Sequence, residues 1–252
     1  MQLDNTAALV TGGASGLGAA TAKALAGHGA RVFAVDLEDA VGKAPEVTGV
    51  SYLAADVTDP GQVRAAVGAA AGAGVPLRTV VNCAGIGPSM RILGKKGVHD
   101  LALYAKVVQV NLIGTFNVLA LAAEAVAETD ADEHGQRGVV VNTASIAAYD
   151  GQIGQAAYSS SKGGVVGLTL PAARDLAQYG IRVCTIAPGI VETPMLATVS
   201  EDFRASLAAG VPFPQRLARP EEYAQLVLTI VGHDYLNGET IRMDGALRMA
   251  PR

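Results

Sequence analysis

Short runs of consecutive apolar residues alternate along the chain with longer segments in which apolar and polar positions mix at helical spacing. Seven of the short runs are predicted strands, and several are apolar throughout, which is typical of parallel strands covered on both faces. Their ranges are Ala7–Val10, Arg31–Asp36, Ser51–Val57, Arg78–Cys83, Gly138–Thr143, Ile181–Ala187 and Glu239–Met243. This alternation predicts an α/β fold, a doubly wound Rossmann-type sheet of seven parallel strands flanked by helices.

The helical segments between the strands differ in length. A short one is predicted over Ala19–His28, and Gly29 is expected to end it. Two long ones cover Leu101–Glu128 and Ala156–Tyr179, and Pro171 should kink the second or break its hydrogen bonding locally. Their Ala-, Gly- and Val-rich faces suit close packing between subunits as a homotetramer, although burial in the core would account for them too. No internal repeat or long linker divides the chain, so residues 1–252 are predicted to form one domain.

Composition and charge narrow the class of protein. The 252 residues are 50% apolar, enough for one large core. The net charge of −4, with no basic block, argues against nucleic-acid binding. No uninterrupted apolar run approaches membrane-spanning length, and no presequence is recognisable, so no membrane partner is expected. Cys83 and Cys184 lie singly in apolar runs, which favours a reducing, cytoplasmic location. The four histidines lack metal-ligand spacing, so no metal is expected.

A glycine-rich turn follows the first strand. The segment Thr11–Gly18 has the spacing G-x3-G-x-G and leads into a helix, and the next strand ends at Asp36. A strand, glycine turn, helix, strand and acid in this order indicate a dinucleotide site. The glycines let backbone N–H groups approach a pyrophosphate, and the helix N-terminus adds partial positive charge.

A second group of candidate functional residues follows the strand Gly138–Thr143. Tyr158 and Lys162 are four residues apart in a predicted helix, so one turn sets both side chains on one face. A nearby ammonium favours the phenolate and lowers the pKa of a tyrosine, which makes it a usable general acid or base. Ser145 lies at the carboxyl end of the strand, the edge where such sheets bind ligands. Pro188-Gly189 leaves the sixth strand at the same edge.

Together these motifs resemble the short-chain dehydrogenase/reductase family over essentially the whole chain. The markers are Thr11–Gly18, Asn82–Gly85, the set Asn111, Ser145, Tyr158 and Lys162, and Pro188-Gly189. The amino-acid sequence around the site is similar to that of one branch of the family, the type 2 3-hydroxyacyl-CoA dehydrogenases, also described as 17β-hydroxysteroid dehydrogenases of type 10. Gly151–Tyr158 and the tail Ile241–Met249 carry that similarity. Cys83 departs from the wider family, in which a second asparagine is frequent there.

The resemblance implies roles for these residues. Tyr158 would transfer the proton, Lys162 would lower the pKa of Tyr158 and bind the nicotinamide ribose, and Ser145 would polarise the substrate carbonyl. Asn111 would support a water relay behind Lys162. Ser145, Gln155 and Tyr158 form the expected substrate site. The residues expected to bind NAD are Gly12, Ser15, Gly16, Leu17, Gly18, Asp36, Asp56, Val57, Cys83, Ala84, Gly85, Tyr158, Lys162, Pro188, Val191 and Thr193.

The function expected from this resemblance is the NAD-dependent interconversion of 3-hydroxyacyl-CoA and 3-oxoacyl-CoA. The alternatives are another alcohol or hydroxysteroid dehydrogenase, a 3-oxoacyl-carrier-protein reductase, and a non-catalytic dinucleotide-binding scaffold. Residues of about 190–216 leave the sixth strand and are expected to form a substrate lid. Arg91, Lys95 and Lys96 lie in a glycine-punctuated segment that could attract the phosphates of coenzyme A, or could simply be solvated.

Overall fold

The sheet organises the molecule, which a computed structural model describes over residues 1–95, 97–196 and 200–251. Neighbouring strands of the sheet are all parallel. Their bounds are β1 (Ala7–Thr11), β2 (Arg31–Asp36), β3 (Val50–Ala54), β4 (Leu77–Asn82), β7 (Gly138–Thr143), β8 (Ile181–Pro188) and β9 (Thr240–Met243), while β5 (Leu93–Gly94) and β6 (Gly97–Val98) form a separate antiparallel hairpin. The order β3-β2-β1-β4-β7-β8-β9 confirms the predicted doubly wound sheet of seven strands.

The strand order explains where a ligand can bind. The chain builds outward from β1 to β3 and then returns to place β4 on the other side of β1. The connections that follow β1 and β4 therefore diverge to opposite faces of the sheet. Such a reversal leaves a crevice at the carboxyl ends of the two strands. The apolar runs β1, β4, β7 and β8 are buried along their whole length, as expected for strands covered on both faces.

Helices cover both faces of the sheet. On one face α3, α5 and α6 pack against Leu9, Leu77 and Val80, and on the other α1 and α8 pack against Val10 and Val81. The helix bounds are α1 (Gly16–Gly27), α2 (Glu38–Val41), α3 (Pro60–Ala71), α4 (Leu101–Val108), α5 (Thr115–Ala127), α6 (Ala156–Leu176), α7 (Glu201–Ala209) and α8 (Pro220–Gly232).

Three local features of these elements bear on the predicted helix and strand bounds. The third strand ends at Ala54 rather than at Val57, because Asp56 turns its carboxylate onto the backbone N–H and hydroxyl of Thr58, both at 2.8 Å. The first helix begins at Gly16, inside the glycine turn, and ends as expected before Gly29, whose φ of 89° is left-handed. Helix α6 continues through Pro171, so the proline does not divide it.

The first long helix is continuous in direction but not in hydrogen bonding. Between α4 and α5 the residues Gln109–Gly114 are π-helical, a change that the sequence pattern did not predict. By length and composition alone, the span Leu101–Ala127 is long and apolar enough to cross a membrane. Val118, Leu119 and Ala122 on this span are nevertheless buried in the protein core.

Candidate active site

A cavity of ≈ 770 Å³ opens at the carboxyl ends of the central strands. Every residue that was expected to bind the cofactor lies on its wall, and so do Ser145, Gln155 and Tyr158. Asn111 does not reach the wall and is fully buried behind it. The tertiary structure therefore gathers residues from the first 20 positions and from beyond position 190 around one space.

The glycine turn packs tightly enough to require its glycine at position 12. Gly12 has a φ of 64°, and a Cβ added there would lie 2.8 Å from the backbone nitrogen of Ala84. Ser15 is the N-cap of α1 but makes no side-chain capping bond, and Ser15, Gly16 and Leu17 all face the cavity. The first N–H groups of a helix have no intrahelical partner. A pyrophosphate fits this turn because its oxygens would accept from those groups.

Asp36 ends β2 on the same wall. Its carboxylate accepts hydrogen bonds from the backbone N–H groups of Ala14, at 3.1 Å, and Leu37, at 2.9 Å. These two bonds fix the carboxylate beside the glycine turn, where its remaining lone pairs face the cavity. A carboxylate in this position matches the two hydroxyls of an adenosine ribose. Asp56 and Val57 line the cavity after β3.

Three elements bring the candidate catalytic side chains together. Ser145 follows β7, and its hydroxyl accepts from the N–H of Ala147 at 3.1 Å at the start of a short 3₁₀ turn. Tyr158 lies in the first turn of α6, and Lys162 follows one turn later. The Lys162 ammonium donates to the backbone carbonyl of Thr143 at 2.7 Å and lies 5.9 Å from the centre of the Tyr158 ring.

The pKa of Tyr158 shifts in the opposite direction from the one expected. Burial raises the pKa of the Tyr158 phenol, and the hydroxyl of Ser145 only partly opposes that rise. Burial also lowers the pKa of Lys162 to about 8. The net shift in the pKa of Tyr158 is therefore opposite to the lowering expected from Lys162. The physical reason is that desolvation penalises both charged forms, and the ammonium is directed at the Thr143 carbonyl.

Asn111 is held by the π-helical segment. Its side-chain oxygen accepts from the N–H of Ile86 at 2.8 Å, and its amide donates to the Ile86 carbonyl at 2.9 Å and to the Ser161 hydroxyl at 3.0 Å. These bonds join three segments behind the cavity. A Cβ added at Gly85 would lie 3.2 Å from the Asn111 oxygen and 3.5 Å from the Lys162 ammonium. Asn111 and Lys162 therefore flank the same glycine.

Several wall residues were not among the predicted cofactor, substrate and catalytic residues, although those beyond position 189 include members of the expected lid. No sequence pattern could have identified Thr143, because it acts through its backbone carbonyl. Lys106 and Val110 could have been found, because their helical spacing places them on a face next to Asn111. Further residues on the wall are Val35, Leu37, Ala55, Ile86, Gly87, Ser89, Ala144, Ile146, Ala147, Gln152, Gly189, Ile190, Pro194, Leu196, Phe203, Leu207 and Met249.

Two expected features extend beyond the described residues. Phe203 and Leu207 of α7 line the cavity, as a lid requires, but residues 197–199 of the expected lid lie outside the described residues. Arg91 and Lys95 are exposed beside the β5–β6 hairpin, and Lys96 likewise lies outside them. Within residues 1–95, 97–196 and 200–251, no three His, Cys, Asp or Glu side chains lie together as a metal site would need.

The fold and this site define a dinucleotide-dependent dehydrogenase. Residues 6–204 match the family model described as short chain dehydrogenase. The chain belongs to the short-chain dehydrogenase family, and it is an oxidoreductase that uses a nicotinamide dinucleotide.

Individual relatives extend this result and confirm the resemblance found in the sequence. The chain is 50% identical over 249 residues to human 3-hydroxyacyl-CoA dehydrogenase type-2, covering 97% of this chain and 95% of the human one. It is 50% identical over 254 residues to the Drosophila melanogaster protein of the same name, covering 99% and 100%. The crystal structure of 3-hydroxyacyl-CoA dehydrogenase type-2 from Mycobacterium avium superposes with a TM-score of 0.92 at 40% identity, covering 98% of each chain.

Proposed function

We propose that this protein interconverts 3-hydroxyacyl-CoA and 3-oxoacyl-CoA with NAD as its cofactor, as part of fatty acid metabolism. The observation that carries the proposal is the convergence of Ser145, Tyr158 and Lys162 on a cavity that has Asp36 at its other end. The names of its half-identical relatives support the choice of substrate. The half-buried Tyr158 with the buried Lys162 one turn away argues against a scaffold that only binds a dinucleotide, because such a protein gains nothing from desolvating both groups.

The chain's own residues would handle the proton. Bound NAD supplies the hydride acceptor. Tyr158 takes the proton of the substrate hydroxyl during oxidation and returns it during reduction, and Ser145 donates a hydrogen bond to the same substrate oxygen. Because burial raises the pKa of Tyr158, the phenol is held protonated and is a ready acid for reduction. For oxidation the Lys162 ammonium has to offset part of that desolvation.

Lys162 and Asn111 have supporting roles in the proposal. Lys162 binds the nicotinamide ribose and supplies the positive charge. Asn111 supports a water relay behind Lys162, which its position across Gly85 from the ammonium favours. The remaining cofactor residues hold the pyrophosphate at the glycine turn and the adenosine between Asp36 and Val57.

Exposed basic side chains would favour coenzyme A esters as substrates. Lys106 lines the cavity with its side chain exposed, and Arg91 and Lys95 are exposed in the segment that precedes α4. Phosphates of coenzyme A would be attracted to these side chains if the segment extends toward the cavity. Lys95→Glu combined with Lys96→Glu should raise the KM for an acyl-CoA severalfold at low salt and leave a neutral hydroxy substrate unchanged, since exposed charges contribute only about 0–1 kcal/mol each. An unchanged KM at low ionic strength would remove this segment from the substrate site.

A substrate panel tests the proposal as a whole. With NAD, kcat/KM should be highest for 3-hydroxyacyl-CoA esters of some chain length, and lower for hydroxysteroids, simple alcohols and acyl-carrier-protein esters. Tyr158→Phe should lower turnover by about 10²- to 10⁴-fold, the usual contribution of a positioned acid–base group, while NAD still binds. A higher kcat/KM for a steroid, or for an acyl-carrier-protein ester with NADPH, would replace the proposed substrate with one of the alternatives.

We also infer a homotetramer packed through the two long helices, in the cytoplasm. Large hydrophobic side chains on these helices are substantially exposed in one subunit, and they include Tyr104 at 38%, Ile113 at 40%, Phe116 at 50% and Leu170 at 45%. Gly163 and Gly167 of α6 have no atom within 4 Å of an added Cβ, so another backbone could approach closely. The cytoplasmic assignment rests on two free cysteines in apolar surroundings.

A further inference from the structure

Tyr223 is a buried polar residue that the proposed chemistry does not use. It lies on α8, on the opposite face of the sheet from α6, and its side chain is 0% exposed. Its hydroxyl is 2.7 Å from the hydroxyl of Thr143 and 3.7 Å from the sulfur of Cys83. Burial raises the pKa of Tyr223 well above its usual value, so this phenol keeps its proton.

The direction of each hydrogen bond in this group follows from its last acceptor, the backbone carbonyl of Asn82. The Thr143 hydroxyl contacts the backbone carbonyl of Asn82, which can only accept, so Thr143 donates to it. A hydroxyl has one proton, so Thr143 accepts from Tyr223, and Tyr223 can in turn accept from the thiol of Cys83. The result is an oriented series of hydrogen bonds from Cys83 through Tyr223 and Thr143 to Asn82.

This series ends where the pairing of β4 with β7 stops, although Thr143 is still paired with Ile186 of β8. The pairing of β4 with β7 stops at Asn82 and Asn142, so on that side Thr143 lies one residue beyond the last paired position. The Thr143 side chain, held by Tyr223, continues the connection to β4 where the ladder stops. The backbone carbonyl of the same residue accepts from the Lys162 ammonium, which is only 4% exposed. Among the residues that the structure describes, it is the hydrogen-bond acceptor of that ammonium.

We infer that Tyr223 is a positioning residue for Lys162. From the back of the sheet its hydroxyl fixes Thr143, and Thr143 presents the carbonyl that stabilises the ammonium. The inference rests on the proposed function only in that Lys162 has to be charged when Tyr158 transfers its proton. If Thr143 turns away, the ammonium loses its acceptor and deprotonates more easily.

The direct test is Tyr223→Phe, which removes one oxygen and keeps the ring. We expect kcat/KM to fall about three- to tenfold, the usual effect of one buried hydrogen bond. We assign the alkaline limb of kcat/KM for reduction to loss of the Lys162 proton, and it should then move to lower pH by about 0.5 unit or more, since a tenfold change in the ammonium equilibrium is one unit. The affinity for NAD should fall in the same pH range.

Four further variants separate positioning from packing. Thr169→Val is the matched control, because it removes a buried hydroxyl in a 2.6 Å pair with Thr185 that has no bond to the site. It should lower the melting temperature without moving the alkaline limb. Thr143→Val should shift the limb as Tyr223→Phe does, and the double variant should be no worse than either single one. Thr143→Ser keeps the hydroxyl, so its alkaline limb should shift less than that of Thr143→Val.

The inference is overturned if Tyr223→Phe lowers only the melting temperature, as Thr169→Val does, and leaves the pH profile in place. Should Tyr223→Phe fold poorly, the comparison of Thr143→Val with Thr143→Ser decides the same question, with equal profiles overturning the inference. A wild-type enzyme that oxidises another alcohol but no 3-hydroxyacyl-CoA would refute the proposed substrate alone. The pH profiles would then be measured on that alcohol.

Discussion

One carboxylate should decide the choice of cofactor. Asp36 is fixed by two backbone N–H groups, so it cannot turn away from a phosphate placed on the adenosine ribose. We predict that kcat/KM with NAD exceeds that with NADP by roughly 100-fold, which corresponds to about 3 kcal/mol. Asp36→Ala should lower the ratio of kcat/KM with NAD to kcat/KM with NADP. Asp39→Ala should leave that ratio unchanged, because Asp39 is an exposed acid in α2 that does not line the cavity. Equal kcat/KM values for the two wild-type reactions would contradict the role of Asp36.

Lys162 should support catalysis but lower the free energy of unfolding at neutral pH. Its pKa is lowered from 10.5 to about 8, so below pH 8 the folded protein keeps a desolvated ammonium, at a cost of the order of 3 kcal/mol. Above pH 10.5 the amine is neutral in both states and that cost disappears. We therefore predict that Lys162→Met is inactive yet more stable than wild type at pH 7, by denaturant unfolding, and that the gain shrinks toward pH 10.5. A Lys162→Met protein less stable than wild type at pH 7 would show that burial is not the dominant effect.

At the scale of the element, α7 is the helix best placed to move. It has no buried residue, yet Phe203 and Leu207 line the cavity and Phe203 is 50% exposed. A helix without buried contacts opens at low free energy. Hydrogen exchange in residues 201–209 should therefore be fast in the free enzyme and slow on addition of NAD and an acyl-CoA, while the buried face of α8 stays protected throughout. Unchanged exchange on adding both ligands would count against a lid.

For the whole molecule, the testable quantity is the number of subunits. Phe116→Asp and Gly167→Glu place charge on the outer faces of α5 and α6, where we expect subunits to meet. Each should reduce the mass measured by light scattering from that of a tetramer, with the circular dichroism unchanged. Tyr235→Asp is the control, because this aromatic side chain is 95% exposed in the turn between α8 and β9. A wild-type monomer would exclude the assembly, and a tetramer in both helix variants would place the interface elsewhere.

The sequence alone determined the features that depend on near neighbours in the chain. Short apolar runs that alternate with helical segments predicted all seven strands of the sheet, and several of them are apolar throughout, as is typical of strands covered on both faces. Helical geometry placed Tyr158 and Lys162 on one side of α6 from their spacing alone. The glycine turn was recognisable because Gly12 has a left-handed φ and a close backbone neighbour.

Tertiary structure decided what depends on contacts between distant segments. The π-helical turn that holds Asn111 has no pattern of its own, and its hydrogen bonds reach Ile86 and Ser161. Burial by the whole fold set the direction of the Tyr158 pKa, against the effect expected from Lys162 alone. Thr143 and Tyr223 are 80 residues apart and meet only because α8 packs behind β7. Spacing along a chain fixes which side chains share an element, but desolvation and the partners of backbone carbonyls are fixed only when the elements pack.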